Sequence, residues 1–365
     1  MFGNIYKGKK VLVTGHTGFK GSWLTLWLSK LGAKVVGFSK DIPTEPSIFN
    51  DLNLKKRIEH KIGDIRTDNL SELIFEERPD FIFHLAAQPI VSESYIDPVG
   101  TITTNAIGTM NVMEAVRKIN WTCSVVLITS DKSYDNVEWV WGYKESDTLG
   151  GKDIYSGSKG AAELIVKAYF HSFFEGKNHS VSFAVARAGN VIGGGDWAKD
   201  RMVVDCIKAW SENKSAEIRC PEATRPWQHV LEPLSGYLVL GQQISNNSLL
   251  NGQAFNFGPR AEQNRTVLEL LKDLFLNFNY GDTEKAFHVT EDIPFKESGL
   301  LKLNCDKALT QLKWEAALNY YETVKFTADW YKNYFIKPKE LFDFTMKQIS
   351  DYENIAKKKN YQWTN

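Results

Sequence analysis

The stretch Gly15-His16-Thr17-Gly18-Phe19-Lys20-Gly21 follows directly on the strand-like run Lys10-Val11-Leu12-Val13-Thr14, and it limits the possible fold more than any other part of the chain. Three glycines spaced G-x-x-G-x-x-G let a strand-to-helix turn tighten, bring backbone N–H groups against a pyrophosphate, and allow the next helix to pack closely on the sheet. The spacing alone is weak, because glycine-rich turns are common and the best-known fingerprint reads G-x-G-x-x-G. The setting strengthens it: an apolar strand precedes the turn, and Ser22-Trp23-Leu24-Thr25-Leu26-Trp27-Leu28 continues as a helix. These residues point to a dinucleotide-binding turn, and so to hydride chemistry.

Further strands are expected from Lys34 to Phe38, Phe81 to Leu85, Ser124 to Thr129 and Val181 to Ala186. Helices are expected from Gly21 to Leu31, Leu70 to Glu77, Thr104 to Lys118 and Tyr155 to Phe174. Strands that are apolar throughout and separated by helices imply a parallel sheet covered on both faces. The expected class is therefore α/β, a Rossmann-type doubly wound parallel sheet with a smaller mixed α/β C-terminal lobe. After Arg187 the regularity fails, at Gly193-Gly194-Gly195 and again at Arg225-Pro226-Trp227. This places a Rossmann domain in 1–187 and a substrate lobe in 188–336, with a possible chain crossover between them. Residues 337–365 read as a polar, lysine-rich surface helix and tail.

Composition excludes several classes. Among 365 residues, Lys plus Arg equals Asp plus Glu at 44 each, so no excess charge recruits nucleic acid or an anionic membrane. No apolar run approaches the roughly 18 residues of a membrane span, and the N-terminus lacks a signal-peptide profile. Cys123, Cys206, Cys220 and Cys305 form no C-x-x-C pair, which suggests neither zinc nor a disulfide framework. The expectation is a cytoplasmic protein without a metal.

Tyr155 and Lys159 are four apart and share a helix face. A lysine ammonium beside a phenol favours the phenolate, and bringing a pKa of about 10 near 7 takes roughly 4 kcal/mol of differential stabilisation. A tyrosine so tuned is a base for an alcohol that is losing hydride. Tyr6-Lys10 and Tyr321-Lys325 have the same spacing, but only Tyr155 lies shortly after a strand-end polar cluster, Ser130-Asp131-Lys132. In that cluster a hydroxyl can hold a substrate oxygen, while a carboxyl and an amine can manage two further protons. Simple alcohol oxidation needs no such pair, so the cluster hints at a second chemical event. Trp139, Trp141, Trp197 and Trp227 are expected mostly to pack, and Lys20 reads as a solvated lysine at a helix start or a pyrophosphate contact.

Five runs carry a family resemblance: V-T-G-H-T-G-F-K-G-S-W-L from Val13, H-L-A-A-Q-P from His84, T-S-D-K-S-Y-D-N-V-E-W-V-W-G-Y from Thr129, A-G-N-V-I-G-G-G-D-W-A-K-D-R from Ala188, and R-P-W-Q-H-V-L-E-P-L-S-G-Y from Arg225. The chain resembles the extended short-chain dehydrogenase/reductases that act on nucleotide sugars. The resemblance implies NAD as cofactor, held by Gly15, Thr17, Gly18, Phe19 and Gly21 of the turn, by Asp41, Asp64, Ile65 and Ala86, and by Tyr155 and Lys159. Ser39 departs from the pattern, standing where most NAD-binding relatives place an acid. It further implies Tyr155 as base, Lys159 and Ser130 as its partners, Asp131 as acid, and Asn190, Arg201, Arg225 and Asn256 around the nucleotide sugar. Dehydratase relatives acting on dTDP-glucose or GDP-mannose carry a glutamate at the position of Lys132; a lysine there resembles the CDP-glucose branch and implies CDP-glucose as substrate. To act as base, Lys132 would need a lowered pKa from desolvation and nearby cations. A homodimer is implied, pairing the Tyr155 and Thr104 to Lys118 helices, as is a place in making 3,6-dideoxyhexoses of cell-surface polysaccharide. A 4-epimerase, a dehydratase for another nucleotide, and a dinucleotide-binding protein without chemistry remain as alternatives.

Overall fold

Seven parallel strands form the central sheet: β1 (Lys10–Thr14), β2 (Lys34–Ser39), β3 (Glu59–Ile62), β4 (Phe81–His84), β5 (Cys123–Ile128), β6 (Val181–Ala188) and a last strand, Ala254–Phe257. The computed structural model describes residues 1–365 apart from 68, 178, 261–262, 279–285 and 291–299. In space the order runs Ala254–Phe257, β6, β5, β4, β1, β2, β3. The direction of build-up reverses between β1 and β4, the crevice where open α/β sheets bind ligands.

Side-chain alternation divides the core between the two faces. Val11, Val13 and Val126 enter one buried cluster, while Leu12, Val125 and Leu127 enter the other. Each such residue, fully buried, contributes about 1.5–3 kcal/mol. With both faces covered, the polar ends of the strands are the exits for functional side chains.

The expected strands and helices are present with small shifts at their ends. Helix Ile154–Tyr169 continues through a wide turn at Phe170–Phe174, and another wide turn, Thr103–Ile107, leads into Gly108–Val116. Two strands of the central sheet were not expected. β3, Glu-His-Lys-Ile, is polar because it is an edge strand with its residues partly exposed. Ala254–Phe257 returns from far along the chain to pair with β6.

The C-terminal segment is not merely a polar surface helix. Helix Leu341–Lys358 buries Leu341, Ile349, Tyr352 and Ala356, and Trp363 beyond it stacks on Phe2 with ring centres 5.0 Å apart. Glu353 accepts from Trp27 Nε1 at 2.8 Å and Lys30 Nζ at 2.5 Å, fastening the segment to helix Phe19–Lys30. Among the described residues, no helix is long and apolar enough to cross a membrane.

Candidate active site

The glycine turn leaves β1 at Gly15, whose φ of +75° strongly favours glycine. A Cβ there would lie 2.7 Å from the backbone nitrogen of Ala86, and one on Gly21 would lie 2.0 Å from the Gly15 carbonyl oxygen. Both glycines are therefore required by backbone closeness. Helix Phe19–Lys30 then starts at Gly18, so its first N–H groups meet the crevice without a capping side chain. Such a cradle is a pyrophosphate site, and on this ground the residues present fit NAD.

Beside the turn, at the end of β2, a hydrogen-bonded chain stands where an acid was expected. Ser39 Oγ pairs with His16 Nδ1 at 2.8 Å, and His16 Nε2 with His60 Nδ1 at 2.7 Å. Burial, with His60 beside it, holds His16 down to about 3, so the ring is neutral near pH 7. Thr17 Oγ1 donates to the Asp41 carbonyl at 2.6 Å, so Asp41 meets the turn through its backbone and keeps its side chain exposed. Arg66 bonds both Asp64 oxygens in a fork, which holds the Asp64 carboxyl below the usual range. Ile65 is buried beside Gly108.

The chemical cluster forms where β5 ends. Ser130 caps the short turn Asp131–Ser133: its Oγ accepts from Lys132 N at 3.2 Å and donates to Asp131 Oδ1 at 2.9 Å. Asp153 caps helix Ile154–Tyr169 by accepting from Ser156 N at 2.9 Å, which fixes Tyr155 in the first turn. Lys159 Nζ lies 5.7 Å from the centre of the Tyr155 ring, on the shared face.

Electrostatics refine the roles. Burial pushes Tyr155 up to about 12; Arg201 pulls it down, Asp131 adds to the rise, and the Ser130 hydroxyl eases it. The cation that opposes burial is thus Arg201 and not, as expected, Lys159. Burial likewise raises Asp131, against Lys132, the Ser130 hydroxyl, Lys20 and Arg225. A carboxyl held towards its neutral form is suited to giving up a proton. Burial lowers Lys159 to about 8, helped by Lys20 and opposed by Glu163. Lys132 is half-buried beside Asp131.

Lys20 is not a solvated helix-start lysine. Burial and Arg201 lower it to about 8, while Asp131 and Asp196 face it. Arg201 donates to the Pro89 carbonyl at 3.1 Å, and Arg225, which is buried, feels Asp131. Lys20, Lys159, Arg201 and Arg225 thus bring cations to one cleft, a charge pattern suited to diphosphate. Asn190 is half-buried at the same edge, its carbonyl accepting from Gln228 N.

Asn256 stands apart from the expected nucleotide-sugar contacts. It is fully buried, its Nδ2 donates to the carbonyls of Tyr143 and Asn304, and its Oδ1 accepts from Tyr134. Both N–H groups are spent on holding the chain after the chemical cluster. The tryptophans also divide: Trp197 and Trp227 are buried, whereas Trp139 and Trp141 are exposed at 40% and 71%, against the expectation of packing.

Sequence reading missed the support behind the cluster. Arg187, at the end of β6, forms a buried forked ion pair with Glu163, which also accepts from Thr129 Oγ1 at 2.6 Å. Arg187 Nη1 then donates to Tyr134 Oη at 2.6 Å. Glu163 lies four residues after Lys159 on one helix face, the single local signal that could have suggested it.

Residues 12–327 match the family described as GDP-mannose 4,6 dehydratase. The chain belongs to this family. It is 46% identical to the CDP-glucose 4,6-dehydratase of Salmonella typhimurium over 96% of this chain and 97% of that one. It is 27% identical to the CDP-paratose 2-epimerase of Salmonella typhi, covering 88% and 98%. The dTDP-glucose 4,6-dehydratase of Bacillus anthracis, solved with NAD, has the same fold: TM-score 0.75, 22% identity, 92% of this chain and all of that one covered.

Proposed function

We propose that the chain dehydrates CDP-D-glucose to CDP-4-keto-6-deoxy-D-glucose, acting in the cytoplasm as a homodimer with NAD. The observation that carries this reading is the meeting of three proton-handling groups, Tyr155, Asp131 and Lys132, at the crevice beside the glycine turn. An epimerase needs only the first of them. The 46% identity to a CDP-glucose 4,6-dehydratase supports the nucleotide.

The glycine turn and the start of helix Phe19–Lys30 would hold the cofactor's pyrophosphate, and Lys159 would hold its nicotinamide ribose. NAD, when bound, supplies a hydride acceptor at C4 and returns that hydride to C6. Tyr155 removes the C4 hydroxyl proton, with Ser130 hydrogen-bonding the same oxygen. At a Tyr155 pKa near 12 little phenolate is present near pH 7 in the free chain, and Arg201 is the neighbouring cation that favours it. The ketone acidifies C5–H, Lys132 takes that proton, Asp131 protonates the departing C6 hydroxyl, and Lys132 returns a proton to C5 as C6 is reduced. Arg201 and Arg225 are placed for the diphosphate, with Asn190 beside them.

Incubation with CDP-glucose and catalytic NAD should yield the alkaline absorbance of a 4-keto-6-deoxy sugar. Recovery of an epimerised CDP-hexose alone would overturn the reading, and a preference for dTDP-, GDP- or UDP-hexoses would reassign the base. Ile107, Leu164 and Phe173 expose apolar surface on the two helical segments assigned to the dimer. Light scattering at micromolar concentration should therefore give twice the chain mass.

A further inference from the structure

Gln228 lies in the short strand Gln228–His229, which pairs with Val191–Ile192 just beyond β6. The residue is 1% exposed; its Nε2 donates to the Phe257 carbonyl at 3.2 Å, while its Oε1 is buried without a partner. Turning the amide over would set two carbonyl oxygens against each other, so Oε1 is the unpaired atom. Asn264 Oδ1 is also buried and unpaired. Both residues line one cavity, with Gly189, Pro226 and Lys302 among its walls. It offers about 10 Å³ of room for a water centre, one molecule's worth. Gly189 is the wall shared with the chemical cluster: a Cβ there would lie 3.1 Å from Asp131 Oδ2.

We infer that this chamber receives the water expelled from C6, with Gln228 Oε1 and Asn264 Oδ1 accepting its two hydrogens. The inference rests on the dehydratase reading. In the step, the C5 proton passes to Lys132 and the C5–H electron pair becomes the C5–C6 double bond. The C6–O pair leaves with the oxygen, which takes the Asp131 proton and departs as water. As that proton arrives, the oxygen turns more positive and its O–H groups become stronger donors. Acceptors placed there therefore bind the transition state better than the starting alcohol.

The test compares Gln228→Met with the unaltered chain, using NAD with CDP-glucose and then with CDP-6-deoxy-6-fluoroglucose. Fluoride leaves without a proton and donates no hydrogen bond. With CDP-glucose, kcat should fall about tenfold, KM should stay within about twofold, and C5 exchange with deuterated solvent should persist. With the fluoro sugar, turnover should match the unaltered chain. Equal losses on both sugars, or a raised KM at unchanged kcat, would overturn the inference; the second result would place Gln228 on the bound sugar nucleotide. Should Gln228→Met fail to fold, Asn264→Leu probes the same chamber with the same readouts. Absence of 4-keto-6-deoxy product from the unaltered chain would overturn the dehydratase reading itself.

Discussion

Replacing Lys159 with methionine should make the protein more stable near neutrality while removing its activity. The side chain is 6% exposed, and burial lowers its pKa from 10.5 to about 8. Below pH 8 the folded chain carries an ammonium that it disfavours, whereas the unfolded chain carries the same ammonium in water. The difference of about 2.5 pKa units corresponds to about 3 kcal/mol at roughly 1.4 kcal/mol per unit. The folded pKa lies below the unfolded one, so between pH 8 and 10.5 the unfolded chain binds more protons and stability rises with pH. The destabilising contribution of Lys159 is thus complete below pH 8 and disappears above 10.5. Methionine keeps most of the length and removes the charge. Urea unfolding of both chains at several values from pH 7 to 10.5 should show Lys159→Met ahead by up to about 3 kcal/mol at pH 7. That lead should shrink as pH rises. A variant less stable at pH 7, or a difference constant across the range, would refute the reasoning.

Three further outcomes follow from the same geometry. Tyr155→Phe should keep its fold and lower kcat by about 10²–10⁴, with C5 exchange lost because no ketone forms; full turnover would remove Tyr155 as base. Lys132→Met should still allow oxidation at C4 while C5 exchange with deuterated solvent stops, as followed by NMR; unimpaired exchange would assign that base elsewhere. Glu163→Gln leaves the buried Arg187 guanidinium without its counter-charge and should cost about 3–5 kcal/mol, read as a lower thermal midpoint.

The parts legible in the sequence are those that depend on neighbours along the chain. A strand followed by closely spaced glycines announces its turn locally, and the Tyr155–Lys159 pair follows from helix geometry. Apolar runs marked the strands buried on both faces. Glu59-His60-Lys61-Ile62 escaped because an edge strand needs no apolar face, and Ala254–Phe257 because four residues amid an irregular lobe resemble any short apolar run. The C-terminal helix misled through composition. Its lysines lie outward while Leu341, Ile349, Tyr352 and Ala356 turn inward, a periodicity that a count of charges conceals.

What stayed hidden arises where segments far apart in sequence meet. Lys20 looks solvated beside Phe19 and Gly21; only when the chain after β6 folds over it do Asp196 and Arg201 become its surroundings. The same convergence changes Tyr155. Its helix supplies a lysine at the right spacing, yet burial dominates its acidity, and the cation that opposes burial is Arg201, 46 residues further along. Spacing can therefore nominate a base and its partner, but the pKa shift is set by burial and by a cation from the chain beyond β6. A substitution at Arg201 should accordingly perturb proton removal at C4 as well as binding of the diphosphate. A pH profile of kcat for Arg201→Gln displaced to higher pH would register the first effect separately from a raised KM, while a change in KM alone would confine Arg201 to binding.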